Sequence, residues 1–122
     1  MRKALLLAAI GLTAACATTR PATPVQSWLT GSWLVVDGGT RFPEGCESDA
    51  PIHYDAHGTY SMEDEIGTWR LDGDRLTERP TGGETAGVDR PHASTVARTG
   101  PDGFRKTFAD GHALSFRRCP TR

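Results

Sequence analysis

The sequence predicts an all-β fold, a small eight-stranded antiparallel up-and-down barrel, and three observations carry that expectation. Turn signals recur at short intervals, as VDGGT, DAHG, LDGD, PTGGETAG, GPDG and ADG. Between them lie short runs rich in β-branched and aromatic residues, the pattern of many brief strands joined by hairpins. Gly and Pro number 14 and 8, too frequent for long helices, and no segment keeps a helical period beyond about two turns. Short connections favour neighbouring antiparallel pairs, and eight strands in a meander can close on themselves and remove exposed edges. A jelly roll or an open sandwich is the competing arrangement.

The first element is not part of the barrel. The chain opens MRKALLLAAIGLTAAC, with Arg2 and Lys3 before a short apolar run that ends in small residues, the layout of a bacterial secretory signal. The run falls well short of the roughly 20 apolar residues that a spanning helix needs. Two cleavages compete. A signal peptidase could read Ala15-Cys16-Ala17 and cut after Ala17. Alternatively, Leu12-Thr13-Ala14-Ala15-Cys16 resembles the bacterial lipobox, in which small residues precede a cysteine that becomes acylated, and this is the expected route. Residues 1–15 are then a lipoprotein signal peptide, with Cys16 the lipidation site. Residues 16–27 form the lipidated N-terminus and a tether, ATTRPATPVQS after the cysteine, with almost no large apolar side chains. Residues 28–122 hold the barrel. The expected location is the cell envelope, anchored to the outer membrane facing the periplasm by acyl chains such as palmitate, since one chain alone binds only marginally.

Formal net charge is −1, and the charges are scattered. Nucleic acid, which needs a basic face, is therefore not an expected partner. Three cysteines are an odd count for an exported chain. Acylation of Cys16 resolves it and leaves Cys46 and Cys119 to pair in an oxidising envelope; two free buried thiols are the alternative.

Within 28–122 the expected strands are 31–36, 52–54, 59–62, 67–71, 75–78, 94–98, 104–108 and 113–118. Alternation places Trp33, Val35, Ile52, Tyr54, Tyr60, Met62, Trp69, Leu71, Leu76, Val96, Phe104, Phe108, Leu114 and Phe116 on the inner face. About a dozen large side chains fill a small eight-stranded barrel nearly solid, so a roomy cavity does not follow from the pattern.

Gly31-Ser32-Trp33, on the first strand of an all-β chain, resembles the Gly-x-Trp signature of the lipocalin superfamily. The phrase DAHGTYS followed by GTWRLDGDRLT is similar to bacterial lipocalin-like (calycin-type) envelope lipoproteins. The resemblance implies that Trp33 closes one end of the barrel and that an arginine of the last strand packs over its ring. In LSFRRC the inward parity of Leu114 and Phe116 gives that place to Arg118, with Arg117 facing solvent. The folded part is shorter than a typical lipocalin, and the family's T-D-Y motif has no counterpart.

Candidate chemistry is sparse. His53 and His57, with Asp55 between them, could offer metal ligands, but His53 has the outward parity and His57 falls in a turn. With His92 and His112 also in expected loops, no metal site is read. Glu63-Asp64-Glu65 reads as a solvated turn. No G-x-S-x-G occurs, and Gly82-Gly83-Glu84 has no helix after it to receive a phosphate, so no catalytic residue and no cofactor are expected. Lys106 is the odd residue. It is the only lysine after Lys3 and shares the inward parity of Phe104 and Phe108. Its expected fate is to reach a rim or to be turned out by a bulge; inside the barrel it would instead meet an anionic headgroup.

The expected function is non-catalytic binding of a small apolar or amphipathic ligand at the barrel mouth, by Tyr54, Tyr60, Trp69, Phe104 and Lys106. The alternatives are a periplasmic protein partner, as in an inhibitor of a lysozyme-type hydrolase, and a purely structural envelope protein. The anchor has a direct check. Cys16→Ser should move the protein from the membrane fraction to the soluble one, and mass spectrometry should show an acylated N-terminal Cys16 in the parent. An unmodified N-terminus at Thr18 would sink it.

Overall fold

The computed structural model describes residues 27–83 and 90–121; the expected signal peptide, the expected lipidation site Cys16 and most of the expected tether lie outside them. Eight strands appear in chain order: β1 (Gly31–Val35), β2 (Ile52–Tyr54), β3 (Thr59–Met62), β4 (Glu65–Asp72), β5 (Arg75–Gly83), β6 (His92–Gly100), β7 (Gly103–Phe108) and β8 (Ala113–Arg118). One turn of 3-10 helix, Glu44–Glu47, interrupts the β1–β2 connection. Each strand pairs antiparallel with its sequence neighbours, and β1 pairs with β8, giving a closed up-and-down barrel.

Several strands are longer than their turn chemistry suggested. β5 continues through Arg79, Pro80 and Gly83, where the sequence reads as a loop. Proline removes a ladder donor and is tolerated in a strand chiefly at edges and bulges. Here Pro80 sits opposite Gly67 beside a register shift, with Ile66 already opposite Gly82. The bulge absorbs the proline and lets the hairpin run on. Gly67 serves the same turn of the barrel: the Tyr60 ring lies across it, and a Cβ there would stand 2.6 Å from that ring and 2.3 Å from the Arg79 carbonyl.

Strand parity matches the interior well. The core holds Leu29, Trp33, Ile52, Tyr54, Tyr60, Trp69, Leu76, Val96, Phe104 and Phe116. Met62 departs from its expected place, because it ends β3 at the rim and is 39 % exposed. Leu34 departs the other way. It points outward between Trp33 and Val35, yet it is buried. The β1–β2 connection folds back over it, and Gly45 approaches so closely that a Cβ would lie 2.7 Å from Leu34 Cδ2.

That connection is fastened by a Cys46–Cys119 disulfide with a Cα–Cα distance of 5.8 Å, within the range a bridge requires. The two cysteines are 73 residues apart, so in the chain-entropy model the bond stabilises by on the order of 4 kcal/mol, an upper value.

One end of the barrel is sealed. Trp33 stands opposite Arg118 in the β1–β8 ladder, and the Arg118 guanidinium lies 4.1 Å from the Trp33 ring centroid. The same group donates to the carbonyls of Thr30 (2.8 Å) and Trp28 (2.6 Å) and pairs with Asp102 at 3.3 Å. Trp33 Nε1 donates to the Leu29 carbonyl at 2.7 Å, so residues 28–30 are drawn across the opening as a plug. Gly31 is required here. Its φ is 128°, and the Arg118 Nη1 atom sits 2.7 Å from where a Cβ would be. Phe104 completes the seal, edge-on to Trp33 at 4.8 Å and stacked on Phe116 at 4.6 Å. Arg117 points outward over Phe42, 4.0 Å from its ring.

Because Trp33 is about 1 % exposed and holds both the plug and the guanidinium, Trp33→Ala should lose about 3–5 kcal/mol of stability. Denaturant unfolding measures this directly. An unchanged midpoint would mean that the ring does not support the closed end.

Candidate functional site

The fully buried rings Trp33, Tyr54 and Phe104 crowd the sealed end, and space remains at the other. A cavity of about 380 Å³ opens at the mouth formed by the end of β1, the start of β2, the β3–β4 turn and the inner faces of β5, β7 and β8. Its walls are Val35, Ala50, Ile52, Met62, Phe108, Leu114 and Phe116, and its polar members are Tyr60, Glu65, Glu78, His92 and Lys106.

Two strands supply the charged floor. In β5 the buried positions alternate as Leu76, Glu78 and Pro80, so the glutamate is carried inward with its neighbours. In β7 Phe104 and Lys106 do the same. The strand between them, β6, presents Ser94 and Val96, small enough for the two long side chains to meet above it. Lys106 Nζ bonds Glu78 Oε1 inside the barrel, and the Tyr54 hydroxyl donates to Glu78 Oε2 at 3.0 Å. Glu78 and Lys106 are each 6 % exposed. The ammonium also stands 5.3 Å from the Phe108 ring and 5.9 Å from Phe116. Nearer the rim, the Tyr60 hydroxyl donates to Glu65 Oε2 at 2.9 Å. Ser94 adds a buried hydroxyl without a hydrogen-bond partner among the described residues.

Lys106 therefore neither reaches a rim nor is turned out by a bulge. An ammonium in an apolar interior is tolerable only beside a hydrogen-bonded anion, and Glu78 is that anion. Glu78, the last residue of the expected strand 75–78, was not singled out from the sequence. The signal was present, since a glutamate and a lysine both carry inward parity on strands separated by only one other.

Of the five residues expected to contact a ligand, Tyr60 and Lys106 line the cavity. Tyr54, Trp69 and Phe104 point inward but lie deeper, in the solid half. Tyr54 packs edge-on to Trp69 at 5.6 Å, and Trp69 Nε1 donates to the Asp55 carbonyl at 2.9 Å. Parity tells a side chain's face but not its depth along the barrel axis. The four histidines are exposed, with His92 at the cavity rim, and among the described residues no three His, Cys, Asp or Glu side chains converge to hold a metal. A larger concavity, about 580 Å³, lies outside the barrel beside the disulfide, bordered by Ser32, Cys46, Ser48, Asp49, Ser61 and Met62. Comparison with known proteins found no matching family model, curated protein or solved structure.

The floor predicts a pattern of stability changes. Lys106→Met leaves Glu78 buried without its counter-charge and should destabilise by about 3–5 kcal/mol, whereas adding Glu78→Leu should restore most of the loss. Additive losses in the double variant would show that the two groups do not act as a pair.

The phenols give a second check. Burial raises the Tyr54 phenol well above its ordinary value, and the Glu78 carboxylate beside it adds to the effect. The Tyr60 phenol is raised as well, by burial first and by the hydrogen bond to Glu65 second. The unfolded chain releases these protons near pH 10 while the folded one keeps them. The contribution is thus complete below about pH 10 and is lost as pH rises beyond it, by up to roughly 1.4 kcal/mol per unit for each group. These are the chain's only 2 tyrosines, so phenolate absorbance reads both. The native protein should show no phenolate signal until it unfolds, and the denatured chain should titrate near pH 10. A native titration near that value would contradict the buried placement.

Proposed function

We propose that this chain is a non-catalytic envelope lipoprotein whose barrel binds a small apolar or amphipathic molecule at its open mouth. The observation that carries the reading is the mouth cavity of about 380 Å³. Its size falls within the range of small-molecule sites, and its make-up, apolar walls with a few convergent polar groups, matches theirs. The sealed opposite end supports the same reading, because the two ends are built from different chemistry. Acyl chains on Cys16 would hold such a barrel at the outer membrane, where apolar and amphipathic molecules are at hand. The Gly-x-Trp resemblance to lipocalin-like lipoproteins agrees with a binding role, with Trp33 and Arg118 as closure residues that take no part in it.

A protein-binding role, as in a hydrolase inhibitor, is the second reading. It is favoured by the outer groove beside the disulfide and by the exposed apolar residues of the β3–β4 hairpin, Met62 at 39 % and Ile66 at 54 %.

Filling the mouth separates the two. Leu114→Trp should abolish saturable uptake of amphiphiles, followed by calorimetry, while the melting temperature stays the same or rises. Parent protein that takes up no amphiphile would leave the protein-contact reading ahead.

A further inference from the structure

We infer that the mouth cavity takes an amphiphile with an uncharged headgroup of the hydroxyl or amide kind, because its one ammonium is already neutralised by the barrel's own Glu78. This rests on the ligand-binding reading and narrows it. Among the described residues that line the cavity, Lys106 is the only Lys or Arg. It would be the natural anchor for a carboxylate or phosphate headgroup. Its Nζ atom, however, is bound to Glu78 Oε1, with side-chain exposures of 7 % and 8 % for the pair. Tyr54 holds the second Glu78 oxygen at 3.0 Å, so the carboxylate cannot swing away without breaking two bonds.

An anionic headgroup seated on Lys106 would therefore place two anions on one buried cation. Surplus charge in a site shielded from water is costly. Glu65, also on the lining, has the same sign as such a headgroup. A cationic headgroup meets like charge at Lys106 on the floor, and Glu65, which would attract it nearer the rim, already accepts the Tyr60 hydroxyl at 2.9 Å. A hydroxyl or amide meets neither. An ammonium carries three N–H donors, of which Glu78 takes one, and each carboxylate oxygen has two lone pairs. The floor thus offers donors and acceptors close together, matching a headgroup that both donates and accepts. The aliphatic and aromatic walls, Val35, Ile52, Phe108 and Leu114 among them, would receive the tail.

Calorimetric titration of the full chain at neutral pH with decanol, decanoate and decylamine tests this, since the three share one tail and differ in headgroup charge. Decanol should bind at least about tenfold more tightly than either ion. Glu78→Gln removes the counter-charge from Lys106, and the affinity of decanoate relative to decanol should then rise at least about tenfold. Decanoate or decylamine binding the parent as tightly as decanol overturns the inference while leaving ligand binding intact. An unmoved ratio in a folded Glu78→Gln protein overturns it as well. If none of the three binds, ligand binding itself falls and the inference with it. Should Glu78→Gln not fold, the comparison in the parent protein decides alone.

Discussion

Everything in this barrel depends on β1 meeting β8, and Arg118 is the side chain that fixes how they meet. Antiparallel pairing can slip, and a slip of one residue turns every inward side chain outward. Here the ladder sets Trp33 against Arg118, and the guanidinium makes that register specific. It covers the ring, reaches the Thr30 and Trp28 carbonyls, and occupies the space beside Gly31 that any side chain would need. Planar, multiply donating geometry of this kind belongs to arginine and not to lysine.

Sealing one end has a consequence at the other. An eight-stranded barrel has an interior that side chains can just fill. The largest fully buried rings, Trp33, Tyr54 and Phe104, are gathered in the sealed half, where they pack edge-on and stacked. The mouth half, walled by Val35, Ile52, Phe108, Leu114 and Phe116, keeps its cavity. The β1–β2 connection adds a second layer on the outside. It covers Leu34 and is tied to the end of β8 by the Cys46–Cys119 bond, which keeps the closing strands together from without as Arg118 does from within.

Between the two halves lies the Lys106–Glu78–Tyr54 cluster. A buried ion pair adds little net stability, because desolvation offsets much of the attraction. Its effect is on arrangement. Each charge tolerates burial only beside the other, so β5 and β7 must present these positions at the same depth. The cluster forms a polar floor beneath an apolar chamber, and that contrast gives the mouth its amphipathic character.

The number of strands, their order and most of the inner face were legible in the sequence, because turn residues and two-residue alternation are local signals that each strand carries alone. Trp33 and Arg118 were legible for a related reason, since a short motif and a parity each stand within a few residues, and the cysteine pairing was legible from a count along the whole chain. The lengths of β5 and β6 were less so, since Pro80 reads as a breaker until the bulge opposite Gly67 is in place. Leu34 has the outward parity, and nothing nearby in the chain shows that a distant loop returns to bury it. Tyr54, Trp69 and Phe104 have the inward face that parity gives them but lie below the lining of the mouth cavity. Depth along the axis, and the partner met across the interior, depend on how all eight strands stagger when the sheet closes. Only the closed barrel decides those, and it is what brought Glu78 to Lys106.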